Sequence, residues 1–183
     1  PITGGIFEVQ SSVGTNLFSV NNRGTELAAN GGSETEDTWT GDWEAVGSGT
    51  ASRKTTSGEY VTGIAGAELV TAAADDAIQN NLSGSPVNTI GAKYQVSFTA
   101  KSSINGTPIE VLYSRDGGTT ENLCADYVDG NDVSQNLSDT EWTKITCTIT
   151  INSATAATDP VLIIRKTNGG TPTIWIDNLS FMR

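Results

Sequence analysis

Between residues 94 and 101 the chain alternates without a break, with Tyr94, Val96, Phe98 and Ala100 in one phase and Gln95, Ser97, Thr99 and Lys101 in the other. A two-residue period sends successive side chains to opposite faces of an extended backbone, so this stretch suits a half-buried strand and not an amphipathic helix. The period recurs at Ile109, Val111 and Tyr113, at Ile145, Cys147, Ile149 and Ile151, and at Ile174 and Ile176, then Leu179 and Phe181. No window shows a convincing 3.6-residue period, and 20 glycines and 5 prolines punctuate the chain throughout. With 36% apolar and 17% charged residues, the outer faces must be built largely of Thr, Ser, Asn and Gly. The fold expected is all-β, a two-sheet antiparallel β-sandwich of the jelly-roll kind, with a short N-terminal β-hairpin or stem. Strands are expected near 43–47, 51–55, 60–64, 67–73, 77–81, 94–101, 109–113, 124–128, 142–151, 161–166 and in the closing stretch, with a polar loop over 129–140.

At 183 residues the chain is one ordinary domain with a short appendage. The division expected is a leader over 1–25 and a jelly-roll domain over 26–183. The leader repeats itself: Phe7-Glu8-Val9 is followed by Gly14-Thr15 and Leu17, and Phe18-Ser19-Val20 by Gly24-Thr25 and Leu27. Two such units cannot build a core, because an isolated hairpin is marginal in water. Either the leader packs on its own domain, or it is an oligomerisation stem or an exchanged strand. Leaving Phe7, Val9, Leu17, Phe18 and Val20 in water forgoes about 1.5 to 3 kcal/mol at each, so self-association through residues 6–27 is the expectation. This segment resembles the short β repeats that precede the heads of bacteriophage tail fibres and some large bacterial surface proteins.

Ten basic against 21 acidic residues give a net charge of −11, which repels phosphate backbones and anionic membrane surfaces. Nucleic acid is excluded as a natural partner, and the acidity favours Ca²⁺, a hard cation with oxygen ligands. No apolar run approaches the roughly 18 residues that cross a bilayer, and the N-terminus has neither a basic start nor an apolar signal core. The chain reads as a mature or excised piece. Without histidine, the usual general base and the commonest transition-metal ligand are missing. Cys147 alternates with Ile145 and Ile149 and should face the core. The sequence leaves two readings of Cys124 and Cys147: a disulfide, if their strands are neighbours and the setting is oxidising, or two buried thiols.

Asp177 lies between Ile176 and Leu179 in the closing stretch TPTIWIDNLSFMR. An ionised carboxylate is not left unpaired among aliphatic side chains, so Asp177 must either turn to water at a bend or be bound. Glu34, beside the glycine pair of the stretch NGGSE, supplies a second carboxylate, and the two ends of the domain are expected to meet there.

The order NGGSE, TGDW, AELVTAA, AIQNNL, GAKYQVSFTAKSS, EWTKITCTITI, PVLIIRKT and TIWIDNLSF, over residues 26–183, is similar to carbohydrate-binding modules of families four, nine, sixteen and twenty-two. The resemblance implies a non-catalytic jelly roll that binds polysaccharide and holds one structural Ca²⁺, with Glu34 and Asp177 as metal ligands beside backbone carbonyls. Ser33 stands where the pattern usually has Phe, which removes an apolar plug and implies a looser loop. Trp43 and Trp142 match positions that are mostly structural, which implies that both lie in the core. Among the remaining rings, Trp175 alternates with Ile174 and Ile176 and should point away from the core, making it the expected sugar platform, supported by Tyr113 or Tyr127. The functional expectation is a glycan-binding module of an extracellular or surface protein. The competing reading is a structural jelly-roll head of a fibre. Catalysis by a carboxylate pair such as Glu34 with Asp37, or Asp126 with Asp129, is set aside because nothing in the sequence separates their acidities.

Overall fold

In the computed structural model of the protein, residues 26–36, 39–127 and 134–183 are described, together with the backbone of two leader strands. Those two, β1 (Phe7–Gln10) and β2 (Asn16–Val20), pair antiparallel as a two-stranded sheet of their own. The leader's side chains, and the repeat's likeness to tail fibres, lie outside the described residues. After a four-residue helix α1 (Trp39–Asp42) come β3 (Trp43–Val46), β4 (Thr50–Lys54), β5 (Gly66–Val70), β6 (Ala77–Asn81) and β7 (Lys93–Ser102). The set is completed by β8 (Thr107–Ser114), β9 (Glu121–Leu123), β10 (Gln135–Leu137), β11 (Thr143–Thr150), β12 (Val161–Lys166) and β13 (Thr173–Met182).

Two antiparallel sheets face each other as a sandwich, the jelly roll that the period-2 pattern predicts. The six-stranded sheet runs β10-β8-β12-β6-β3, with β9 also on β8, and the five-stranded sheet runs β11-β7-β13-β5-β4. The inward phase of each strand fills the core: Tyr94, Val96 and Phe98 from β7, Ile145, Cys147 and Ile149 from β11, Ile174, Ile176 and Phe181 from β13, against Ile78, Ile109, Val111, Leu162 and Ile164 of the opposite sheet. Phe181 lies between Tyr94 and Tyr113, with ring centroids 5.1 and 5.9 Å away. The first sandwich pairings come from Glu26, which bridges Met182, and Ala28, which bridges Leu82.

Cys124 and Cys147 form a disulfide, with Cα atoms 5.8 Å apart. Cys124 donates its N–H to Val111 of the six-stranded sheet while Ala125 pairs with Thr148 of the five-stranded one, so the bond sits where the chain passes between sheets. A bridge across 23 residues is worth about 3 kcal/mol through the entropy it removes from the unfolded chain.

Three expectations need correction. Residues 60–64 form a loop, not a strand, because the N–H groups of Val61, Thr62 and Ile64 go to two carboxylates instead of to a neighbouring strand. The strand expected over 124–128 lies earlier, at β9, since the chain leaves the sheet at the disulfide. Within the expected polar loop 129–140, Gln135 and Leu137 turn inward from β10 and are buried.

Candidate functional site

The first candidate is the junction of the two ends of the domain. Asp177 is fully buried, and its carboxylate accepts backbone N–H groups from Val61 (2.7 Å) and Thr62 (2.9 Å) on Oδ2 and from Asn178 (2.7 Å) on Oδ1. The register of β13 breaks between Asp177 and Ser180, with Asn178 at φ 56°, so a bulge turns the carboxylate out of the ladder. Glu34 Oε2 accepts the N–H of Ile64 at 2.8 Å, so one loop serves both carboxylates. A Cβ on Gly32 would lie 3.6 Å from Glu34 Oε1 and 3.9 Å from Asp177 Oδ1, which places the two acids around a single glycine. Gly31 is equally constrained, since its Cβ would fall 1.9 Å from the Leu179 carbonyl oxygen, and its own carbonyl accepts the Leu179 N–H.

No lysine or arginine makes an ion pair with either carboxylate among the described residues. Arg53 instead donates to the carbonyls of Ser33 (2.7 Å) and Glu34 (3.1 Å). Two acids side by side, one fully buried and neither matched by a cation, fit the oxygen chemistry of a hard divalent ion. No group of three or more acidic or cysteine side chains gathers as metal ligands among the described residues, so backbone oxygens would have to complete any such site. The loop is also tighter than the change from Phe to Ser implies. Ser33 is fully buried, with φ 56°, and its hydroxyl accepts the indole N–H of buried Trp39 at 3.2 Å, so Trp39 supplies the bulk that Ser33 lacks.

The second candidate is the outer face of the five-stranded sheet. Half-buried Trp175 projects outward between buried Ile174 and Ile176 and donates its indole N–H to Glu68 at 3.1 Å. The ammonium of Lys101 lies 5.2 Å from the centre of the Trp175 ring and 5.3 Å from that of Trp142, and donates to the Gly58 carbonyl. Cross-strand register aligns Lys101, Trp175, Glu68 and Ser52 in one row. Glu68 accepts the Ser52 hydroxyl at 3.1 Å and ion-pairs with Lys54 at 3.0 Å. That carboxylate, through its hydrogen bond first and its charge second, holds the Lys54 ammonium above the ordinary lysine value. Rings for stacking and charged groups for hydroxyls thus stand together on one accessible face.

Trp142 is not in the core: it is half-buried on this outer face. The inward phase of Ile145, Cys147 and Ile149 runs back to Thr143, which leaves Trp142 and Lys144 in the outward phase. The alternation held this signal, and the family pattern overrode it. Tyr113 and Tyr127 also need correction, because both are core residues that cannot support Trp175. Tyr113 is in phase with inward Ile109 and Val111 and lies against Phe181, and the Tyr127 hydroxyl accepts the Val111 N–H. Burial pushes the Tyr113 phenol up. Its edge reaches a cavity of about 20 Å³, shared with Arg115, Asn122 and Ser153, which is room for one water and not for a sugar.

The outer face of the six-stranded sheet differs. Its strands present Glu44, Gln79, Asn81, Glu110, Glu121 and Arg165 outward over a small apolar cluster of Ala77, Leu112, Val161 and Ile163, and no ring occupies an outward strand position there. Arg165 is clamped by Glu110 (2.6 Å) and by both oxygens of Glu121 (2.9 and 3.0 Å). Of the carboxylate pairs considered for catalysis, Asp37 and Asp129 lie outside the described residues.

No family model and no curated protein sequence matches the chain. Solved structures do. The C-terminal family 22 carbohydrate-binding module of Clostridium thermocellum Xyn10B superposes with a TM-score of 0.58 at 17% identity, covering 89% of this chain and 96% of that one. TmCBM61, solved with β-1,4-galactotriose, superposes with a TM-score of 0.54 at 16% identity, covering 87% and 99%. The chain also covers 28% of the Clostridium thermocellum xylanase 10B polypeptide of CBM22-1 and GH10 modules, complexed with xylohexaose, with a TM-score of 0.61 at 15% identity over 88% of this chain. The fold is therefore the jelly roll of the carbohydrate-binding modules, and at these identities the likeness is one of fold.

Proposed function

We propose that this chain is a non-catalytic, calcium-stabilised glycan-binding module of an extracellular or surface protein, and that its sugar platform is the outer face of the five-stranded sheet. The observation that carries the reading is the row in which Trp175 and Trp142 flank Lys101 beside Glu68. Aromatic area on a polar sheet face invites a pyranose ring, and the neighbouring charged groups offer hydrogen bonds to its hydroxyls. The jelly roll shared with modules solved with xylohexaose and galactotriose supports the same class of ligand. Binding is to be measured by calorimetry against neutral and acidic polysaccharides. Trp175→Ala or Trp142→Ala should weaken affinity by several-fold to about tenfold with little change in melting temperature. Wild-type affinity in both variants would move the site off this face.

A resident Ca²⁺ would be held by Glu34 and Asp177, with backbone oxygens of the surrounding loops, and would supply the positive charge this junction lacks. It would act on stability and not on chemistry, tying the opening loop to the closing strand.

The structural reading, a jelly-roll head assembled through its leader, is supported by one observation: β1 and β2 pair with each other and, among the described residues, with no strand of the sandwich. A two-stranded sheet is too small to stand alone in water. Removing residues 1–25 should then turn an assembling protein into a folded monomer in sedimentation. A full chain that is monomeric at high concentration would defeat that reading.

A further inference from the structure

We infer that the outer face of the five-stranded sheet selects glycans that carry carboxylates, that is, uronate-containing polysaccharides, with Lys101 as the residue that reads the acid. This deepens the glycan-binding reading above and rests on it.

The distribution of charge carries the inference. The chain has a net charge of −11 and only five lysines, yet four of them, Lys54, Lys93, Lys101 and Lys144, project from this one face. In the outward strand positions of the same face the carboxylates are Glu68, which is already paired with Lys54, and Asp177, which lies opposite Thr99 but is buried under the N–H groups of Val61 and Thr62. Lys93, Lys101 and Lys144 make no ion pair among the described residues. The opposite face is acidic, with Glu44, Glu110 and Glu121 against Arg165.

Lys101 differs from an ordinary surface lysine. Its ammonium stands 5.3 and 5.2 Å from the centres of two indoles and is anchored on the Gly58 carbonyl, so little further ordering is needed when a ligand arrives. The carboxyl group of a uronate projects from the edge of the pyranose ring. A uronate stacked on Trp142 or Trp175 would bring that group beside the Lys101 ammonium. Lys144 pairs with Thr99, two residues from Lys101 along β7, or about 7 Å. A polymer lying along the strands would meet a second cation there.

The test uses the full chain and matched ligands: glucuronoxylan and polygalacturonate, each beside the same polymer with its carboxyl groups reduced to alcohols. The acidic forms should bind about three- to tenfold tighter. That preference should vanish at about 1 M salt, where the screening length is near 3 Å. It should also vanish in Lys101→Gln and shrink in Lys144→Gln, an exposed position that tests the same point if the first variant folds poorly. Equal affinity for acidic and reduced polymers would overturn this inference and leave the glycan-binding reading standing. No binding to any polymer would overturn both. A preference untouched by either lysine variant would show that the acid is read elsewhere, and equally tight binding of single-stranded DNA or phosphatidylserine vesicles would show that the face selects charge and not a glycan.

Discussion

Asp76 and Asp177 are both almost wholly buried, and neither has a lysine or arginine against it among the described residues, yet they differ in how their charge is met. Asp76 sits between two turns. Its carboxylate accepts the N–H groups of Ser48 (2.7 Å), Ala72 (2.6 Å) and Ala73 (2.8 Å), with Gly49 as a fourth donor. Burial opposes its ionisation, but the four backbone N–H groups outweigh it and hold the carboxyl below the ordinary aspartate range. Asp177 has three such donors and a second acid, Glu34, beside it. The same device, a loop wrapped around a carboxylate, is self-sufficient at Asp76. At Asp177 it leaves a second carboxylate beside the first, and the Ca²⁺ proposed above would act there and not at Asp76.

The largest effect expected from this contrast is at Asp76. Replacing it with Ala strands four backbone N–H groups inside the fold, and the loss in denaturant unfolding should be about 3 to 5 kcal/mol, the same with Ca²⁺ or with chelator. A loss below 1 kcal/mol would mean that water replaces the carboxylate without difficulty. The next effect separates the two sites by metal. At 100 times its Kd, Ca²⁺ should add about 2.7 kcal/mol to the wild type, seen as a rise in melting temperature that chelation reverses. Asp177→Asn and Glu34→Gln should abolish the rise, while Asp76→Asn should keep it. A melting curve indifferent to Ca²⁺ and chelator would remove the metal from the junction.

Acidity gives a third way to sharpen the contrast. The folded pKa of Asp76 is depressed, so the unfolded chain binds the proton more readily and the stability that Asp76 contributes is fully present above the unfolded value, about 3.9. As pH falls through the lower folded value, that contribution is lost. The stability gap between wild type and Asp76→Asn should therefore be constant at neutral pH and shrink in acid, and a gap that widened in acid would reverse the sign of the argument. The smallest effect is expected at Gly63. Its φ is 70° and a Cβ there would fall 1.6 Å from Glu34 Oε1, so Gly63→Ala should displace the Glu34 side chain and cost about 1 to 3 kcal/mol. It should also blunt the Ca²⁺ response, whereas Gly58→Ala, at a position with open space, should leave that response intact.

Much of the fold was legible because a two-residue period is a local property of the chain. It located β7, β8, β11 and β13 to within a few residues and placed Trp175 outward, while the runs that form β3, β4, β5, β6 and β12 are marked by apolar residues between turn signals. It also held the positions of Tyr113 and Trp142, one inward with Ile109 and Val111, the other outward with Lys144. The Trp142 assignment failed where a family pattern was preferred to the phase of the strand, and the Tyr113 assignment failed because that phase was not applied to it. The loop at 60–64 failed for another reason. Tyr60, Val61 and Ile64 have the composition of a strand, but the backbone donors of Val61, Thr62 and Ile64 are claimed by Asp177 and Glu34, which lie 116 and 30 residues away in sequence for the Val61 and Ile64 bonds.

The order of residues along the chain is enough to specify a β-sandwich, the core-facing phase of its longer strands, and the need of Asp177 for a partner. Each follows from the alternation of side chains along a strand or from the cost of an unpaired charge among aliphatic groups. Tertiary structure alone decided who the partners are. Whether Asp177 meets Glu34 around Gly32, whether Cys124 reaches Cys147, and whether Lys101 comes to stand between Trp142 and Trp175 all depend on which strands lie side by side. Strand order is set by packing of the whole core, and no local period records it.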